Sequence, residues 1–198
     1  MSSEQPPGPD GPDNRDRARR TDAQRSFDAL VQAAREVFAS AGVDAPVRDI
    51  AGKAGVGTGT FYRHFPKRGD LIAAVFRNEV DSCADAAPAL AKNHPPFQAL
   101  AAWLHRYSQF IATKRGLASA LHSGDPAFET LPAYFDARLR PALSHLLERA
   151  VAAGEIRTDL DADDIISAVA NLSMPAKTAR PDHTRRVVDI FIDGLKSA

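Results

Sequence analysis

Hydroxyl, basic and glycine residues gather around one short predicted helix, and these residue types suit contact with nucleic acid. Thr58 and Thr60 lie on the first turn of that helix, where each hydroxyl can donate to or accept from a base edge. Gly59 between them would let the backbone approach a duplex closely. Arg48 and Lys67 lie on either side and could bind phosphates, which position a protein on DNA without reading its sequence. For Thr58, capping of the helix is an equally good interpretation.

Two short helices joined by a tight turn are predicted to position these residues. Apolar residues recur at helical spacing from Val47 to Ala54. Gly55 then ends the first helix, because glycine adopts the left-handed conformation at no steric cost. The second helix begins near Thr58 and stops at Pro66. Together they form a helix-turn-helix over about residues 46–65, a motif whose second helix enters the major groove of DNA.

The same segment resembles the DNA-binding domain of the tetracycline-repressor (TetR) family. The resemblance is carried by VRDIA at residues 47–51, by AGV at residues 54–56, and by GTFYRHF followed by a proline and a basic residue at 59–67. Two positions depart from the pattern: the family usually has Ser or Thr where Gly57 stands, as the cap of the recognition helix, and Ser-Lys-Glu at residues 67–69.

The resemblance implies further roles and an architecture. In the family, the positions of Tyr62 and His64 contact phosphates. We therefore expect an all-α chain with an N-terminal three-helix helix-turn-helix DNA-binding domain over residues 21–82. A larger C-terminal helical domain for ligand binding and dimerisation would follow over residues 88–198.

The distribution of charge agrees with a DNA-binding segment, although the formal net charge is zero. Residues 15–68 contain eleven Lys or Arg and six Asp or Glu, whereas residues 1–14 contain three acids and no base. Residues 1–20 are rich in Pro, Gly, Ser, Asp and Arg, so they cannot bury enough surface to offset their ordering entropy and are predicted to form a disordered tail. The four arginines at positions 15–20 either reach DNA or are simply solvated.

Apolar periodicity predicts nine helices, of which the second and third form the motif, and no run alternates as a strand would. The others are predicted from Thr21 or Asp22 to Gly42, from Pro66 to Ala87 where Pro88 ends the helix, from Phe97 to about Thr113, from Leu117 to His122, from about Leu131 to Ala153, from Asp161 to Ser173, and from Pro181 onwards. Pro141 lies inside the seventh helix, which should kink or divide there.

The family resemblance also implies partners for the C-terminal part. Related proteins dimerise through their last two helices, which predicts a homodimer through the eighth and ninth helices that reads a palindromic double-stranded DNA operator. In the family this part encloses a pocket, here for an unknown small apolar or amphipathic ligand. Candidate lining residues, for each of which core packing is the competing interpretation, are Trp103, His105, Tyr107, Phe110, His122, Phe128, Tyr134, Phe135 and Met174.

The expected function is a sequence-specific DNA-binding transcriptional regulator, a repressor released from its operator by a small molecule. Two alternatives are a DNA-binding regulator or architectural protein without a ligand, and an all-α enzyme. The sequence gives the enzyme little support, because none of the six histidines pairs at helical spacing and neither an HExxH nor a cysteine pair occurs. We expect no catalytic residue, metal or cofactor.

The predicted location is the cytoplasm, without a membrane span. No apolar run approaches 18 residues, and the N-terminus lacks a basic segment followed by an apolar one. The single cysteine, Cys83, cannot form an internal disulfide and lies on the apolar stripe of a predicted helix.

Overall fold

The computed structural model describes residues 12–121, 123–174 and 182–197, except for the side chains of 12–15 and 112–120. Over these ranges the fold is all-α, as predicted. Outside the helices, the backbones of Ile156 and Lys196 form an isolated antiparallel β-bridge. The α-helices, with a short 3-10 helix (Pro126–Phe128) between the sixth and seventh, are α1 (Pro12–Ala41), α2 (Val47–Lys53), α3 (Thr58–His64), α4 (Arg68–Ala84), α5 (Ala86–Asn93), α6 (Pro96–Leu121), α7 (Leu131–Ala152), α8 (Ala162–Leu172) and α9 (His183–Asp193).

The chain divides into two compact units, Met1–Leu71 and Ile72–Ala198. The division falls inside α4. The first four residues of this helix, Arg68 to Leu71, belong to the first unit, and the rest belong to the second. We call the units the N-terminal unit and the C-terminal unit.

The core of the N-terminal unit is formed by the apolar sides of α1, α2 and α3, which pack on one another. The turn between α2 and α3 follows from a left-handed glycine, as predicted: Gly55 has φ +70°. Its N–H donates to the Gly52 carbonyl at 3.1 Å, and the Val56 N–H donates to the Ala51 carbonyl at 3.0 Å. These two bonds form a Schellman motif, which satisfies carbonyls at the end of α2 and turns the chain toward α3.

The start of α1 differs from the prediction. The helix begins at Pro12, well before Thr21 or Asp22. Proline is favoured in the first turn of a helix, and the arginines and alanine that follow are good helix formers, so local propensity outweighs the low apolar content. Residues 12–20 are therefore helical where a disordered tail was expected, while residues 1–11 lie outside the described part of the chain.

Pro88 does not end a helix, contrary to the prediction. α4 ends at Ala84, and Pro88 is the third residue of α5. A proline costs little at that position, because the N–H groups of the first helical turn have no acceptor within the helix.

The fifth and sixth predicted helices form one helix, α6, whose backbone continues from Pro96 to Leu121. Gly116 lies inside it, and an isolated glycine is tolerated in a helix interior at a cost of about 1 kcal/mol. α7 likewise runs through Pro141 without dividing. The predicted end of the sixth helix at His122 and the predicted start of the ninth helix at Pro181 lie outside the described residues.

The C-terminal unit is built around α6. Leu100, Trp103 and Tyr107 on this helix are fully buried, and α6 packs against α5, α7, α8 and α9. The N-cap of α8 is Asp161, where the prediction placed the start of this helix, and its carboxylate accepts from the N–H groups of Asp163 and Asp164 in a capping box. Among the described helices, none is long and apolar enough to cross a bilayer.

Two glycines close together give a matched test of the turn. Replacing Gly55 with Ala should lower the free energy of unfolding by about 1 kcal/mol, because a left-handed conformation costs an L-residue roughly 1–2 kcal/mol. Gly52→Ala should instead raise it by about 0.5–1 kcal/mol, since Gly52 lies within α2 and a Cβ there meets open space. Urea denaturation of both variants measures the difference. Equal effects of the two substitutions would contradict the turn described.

Candidate DNA interface

The buried side of α3 fixes the helix in place. Phe61 is 1% exposed, and its ring lies 5.9 Å from that of Phe65, which in turn lies 5.2 Å from Phe27 of α1. An isolated helix of this length is not stable in water. The orientation of α3 is therefore set by these aromatic contacts.

The part of α3 outside this core presents polar groups to solvent. Thr58 and Gly59 are exposed and Thr60 is partly buried. A Cβ at Gly59 would meet nothing within 4 Å, so the backbone there is open to an approaching molecule. Tyr62 is 56% exposed, unusually high for a tyrosine in a folded unit, and its ring lies edge-on to Phe61 at 5.3 Å. The helix thus offers hydroxyl groups on a surface that its own core leaves uncovered.

Gly57, not Thr58, is the N-cap of α3. Gly57 has an extended backbone (φ −73°, ψ 153°), and its carbonyl accepts from the N–H groups of Thr60 and Phe61 at 3.0 and 3.1 Å. Thr58 is the first helical residue, so the capping role considered for it falls to the preceding glycine. The resembled family has its capping Ser or Thr at this same position, and here glycine fills it through its backbone alone.

The remaining predicted contacts lie on either side of α3. Arg48 on α2 is exposed, with its Nε 3.4 Å from Asp49 Oδ1, a pair too solvated to hold the side chain firmly. His64 is partly buried, edge-on to Phe27 with ring centroids 6.2 Å apart. Lys67 is exposed, and its backbone N–H donates to Asp70 Oδ2 at 3.0 Å at the start of α4. All seven predicted residues therefore belong to the N-terminal unit.

Arg68 has a structural contact that sequence reasoning missed. Its Nε donates to the Val43 carbonyl at 2.6 Å, and its Nη2 donates to the carbonyl of Ala45. The side chain therefore ties the start of α4 to the segment between α1 and α2. Nothing in the sequence distinguishes this arginine from its basic neighbour Lys67, because its acceptors are backbone groups more than twenty residues away.

An ion pair links α1 and α2. Lys53 Nζ lies 2.8 Å from Glu36 Oε2, and this hydrogen bond holds the pKa of the Glu36 carboxyl below its usual range. Both side chains are about half exposed, so the contact adds little to stability.

The described residues of the C-terminal unit line cavities, of which an apolar one and a more polar one concern the predicted pocket. An apolar cavity of 380 Å³ is lined by Phe76, Leu121, Phe128, Leu131, Pro132, Phe135 and Asp136. A more polar one of 530 Å³ is lined by Ala102, His105, Ser108, Gln109, Asp182, Thr184 and Arg185. Of the predicted lining residues, Phe128 and Phe135 belong to the first cavity and His105 to the second.

The other candidate lining residues are placed elsewhere. Trp103 and Tyr107 are core residues, stacked with ring centroids 5.7 Å apart, and Trp103 Nε1 donates to the Cys83 carbonyl at 3.0 Å. Phe110 is buried and stacks on Phe135, with ring centroids 6.0 Å apart. Aromatic residues of α6 thus fill the interior, which apolar periodicity alone could not distinguish from lining a cavity.

Three more candidates complete the set. The Tyr134 hydroxyl donates to the Asp81 carboxylate at 2.7 Å, and burial together with this bond raises the pKa of Tyr134. Met174 is 63% exposed. His122 lies outside the described residues.

Comparisons with known proteins decide the family. Residues 30–75 match the family model described as bacterial regulatory proteins, tetR family, and residues 95–197 match the model of the C-terminal domain of SbtR-like transcriptional regulators. The chain belongs to the TetR family. It is accordingly a DNA-binding transcriptional regulator, as the helix-turn-helix and the exposed side of α3 indicate. None of the curated proteins compared matches the chain.

Solved structures give the same assignment. A TetR transcriptional regulator from Streptomyces coelicolor is 37% identical, with a TM-score of 0.74 over 87% of this chain and 99% of that one. A TetR regulatory protein from Mycobacterium vanbaalenii is 31% identical, with a TM-score of 0.73 over 90% and 99% of the two chains. A gamma-butyrolactone receptor shares the fold at 20% identity, with a TM-score of 0.61 over 89% and 90%.

The neighbouring bases Lys67 and Arg68 should respond differently to truncation. Lys67→Ala should keep the free energy of unfolding within about 0.5 kcal/mol of the wild-type value, because an exposed side chain contributes little to stability, but should weaken DNA binding. Arg68→Ala should lower the free energy of unfolding by about 1–3 kcal/mol, since two backbone carbonyls lose their donor. Urea denaturation and fluorescence anisotropy with a DNA duplex measure the two effects. A destabilised Lys67 variant beside an unaffected Arg68 variant would contradict this assignment.

Proposed function

We propose that this TetR-family regulator is a repressor that binds a palindromic operator as a homodimer and is released from it by a small molecule. One observation carries the DNA-binding part: α3 begins with the exposed Thr58 and Gly59 and the partly buried Thr60, while Phe61 anchors the same helix in the core. A short helix held in this way can enter a major groove without losing its packing. The regulator then acts in the cytoplasm, where a bacterial operator lies.

The side chains of α3 support base readout through short contacts. Thr60 and Thr58 can bond base edges, their methyl groups can meet a thymine methyl, and Gly59 permits close approach. The helix sequence TGTFYRH has few long side chains suited to bidentate base contacts. Discrimination among sequences would therefore also depend on bridging water and on DNA shape.

Phosphate contacts would come from residues around that helix. Tyr62 and His64 lie on α3 itself, Arg48 on α2, and Lys67 just after α3. Hydroxyl, imidazole and cationic groups placed around a recognition helix fix its register on the duplex and contribute affinity that does not depend on base sequence.

The last two helices support a homodimer. Ile190 on α9 is 72% exposed, and Phe191 and Val187 on the same helix are only partly buried. Exposed apolar side chains on a terminal helix are covered when an identical surface packs against them across a two-fold axis. Such a dimer presents two copies of α3, which matches an operator with two half-sites.

The apolar cavity supports ligand control. Its volume of 380 Å³ falls within the usual range for small-molecule sites, and its described lining includes the rings of Phe76, Phe128 and Phe135 and the carboxylate of Asp136. Phe76 in its wall belongs to α4, whose first residues belong to the N-terminal unit. A ligand against Phe76 would thus act on a helix that continues into the DNA-binding unit, and the coupling of the two binding events would be reciprocal, typically about 1–3 kcal/mol.

Selection of genomic fragments by the purified protein tests the DNA-binding role. We expect enrichment of a palindrome whose half-sites are centred about 10 base pairs apart or a multiple of that spacing. Thr60→Ala should change the preferred base at one position of each half-site, whereas Tyr62→Phe should weaken binding to every selected sequence by roughly ten-fold through loss of a phosphate contact. Uniform weakening by Thr60→Ala, with altered preference in Tyr62→Phe, would reverse the assigned roles.

Filling one cavity or the other tests the ligand site. A screen for compounds that release the operator supplies an inducer. Leu131→Trp should then abolish release while operator affinity without inducer stays the same, because the larger ring occupies the apolar cavity at a packing cost of about 1–3 kcal/mol. Ala102→Trp, in the polar cavity, is the matched control and should leave release unchanged. The opposite pattern would place the inducer in the polar cavity.

A further inference from the structure

The N-terminal part of α1 is a basic helix, and its described side chains bury no face. We call residues 12–25 the arm. Its described side chains, Asp16 to Arg25, are all exposed, whereas the core side of α1 begins at Phe27 and becomes fully buried at Leu30. A helical segment that buries no face gains nothing from the core of its own unit. The arm is therefore free to act through the side chains that it presents to solvent.

The arm presents mainly positive charge. Residues 15–25 contain five arginines and two aspartates. One aspartate, Asp22, lies 3.4 Å from Arg25, an exposed contact that leaves the charge of the other arginines in place. A surface with an excess of guanidinium groups suits a polyanion, since arginine donates several N–H groups to a phosphate at once.

Helix geometry places part of this charge beside α3. Arg20 precedes Phe27 by seven residues, two helical turns, so both lie on the same side of α1 about 10 Å apart along its axis. Phe27 contacts the end of α3, with ring centroids 6.2 Å from His64 and 5.2 Å from Phe65. Arg17 precedes Arg20 by three residues and is therefore its neighbour on the helix surface. Arg20 and Arg17 therefore extend a positively charged surface along α1 from the point where Phe27 contacts the end of α3.

We infer that the arm binds the phosphodiester backbone of operator DNA next to the half-site that α3 reads, with Arg17 and Arg20 as the contacting residues. The inference rests on the proposed function, because it takes α3 as the recognition helix. DNA carries one negative charge per about 1.7 Å of its axis, so a duplex that contacts α3 has phosphates along the neighbouring arm. The arm lengthens the contacted segment of DNA and adds affinity without sequence preference.

The salt dependence of DNA binding tests the arm. The variant Arg17→Gln/Arg20→Gln keeps good helix formers at both positions. Two probes are used, a duplex with the selected operator and an unrelated duplex of the same length. For both, the slope of log K against log salt concentration should fall by about 0.9 for each arginine that neutralises a phosphate, so by roughly two for each protomer. Affinity for the operator at low salt should fall at least about ten-fold, with the preferred sequence unchanged.

Two control variants make the result specific. Arg17→Lys/Arg20→Lys keeps the charge and should retain most of the salt slope. Lys92→Gln/Lys196→Gln removes two exposed charges from the C-terminal unit and should retain the full slope. Far-UV circular dichroism should show the same helix content in all variants.

The outcomes separate this inference from the proposed function. A wild-type salt slope in Arg17→Gln/Arg20→Gln would contradict phosphate binding by the arm and would leave the operator-binding function intact. An equal loss of slope in the Lys92→Gln/Lys196→Gln control would also overturn it, because total charge would then be the cause. A change in preferred sequence would assign base reading, not phosphate binding, to the arm. Failure of the wild-type protein to select any operator would contradict the proposed function and, with it, the binding of DNA by the arm.

Discussion

The burial of Phe61 is the contact on which the DNA-binding unit depends. α3 has only seven residues, and a helix of that length has too few internal hydrogen bonds to offset the cost of nucleation. Burying one phenylalanine contributes about 1.5–3 kcal/mol, and Phe65 extends the same contact to Phe27 of α1. Because the packing of Phe61 and Phe65 holds the helix, the threonines and Gly59 need no structural role and are available to DNA.

α4 connects this constraint to the rest of the chain. Its first residue, Arg68, bonds the backbone carbonyls of Val43 and Ala45 in the N-terminal unit. Further along, Phe76 lines the apolar cavity, and Asp81 accepts hydrogen bonds from Tyr134 and from Arg138 of α7 at 2.7 Å. One continuous helix thus carries a contact that shapes the DNA-binding unit, the wall of a ligand-sized cavity, and a polar contact that fastens it to α7.

Local chemistry explains which parts of the structure could be predicted from the sequence. The left-handed Gly55 and the start of the eighth helix at Asp161 were predicted correctly, because each depends on a few adjacent residues. Pro88 was misjudged, since a proline ends one helix or begins another according to a boundary that periodicity does not locate. The contacts of Arg68 depend on backbone groups distant in sequence. Whether an aromatic residue of α6 fills the core or lines a cavity likewise depends on neighbours that no pattern identifies.

The most direct test of the central claim is a methylation footprint of the regulator on its selected operator. Dimethyl sulfate modifies guanine N7 in the major groove and adenine N3 in the minor groove, so it reports which groove the protein covers. If the first turn of α3 enters the major groove of two half-sites, bound protein should protect N7 of guanines in two clusters about one helical turn apart. Full reactivity of those guanines in the saturated complex, with protection confined to minor-groove adenines, would contradict it.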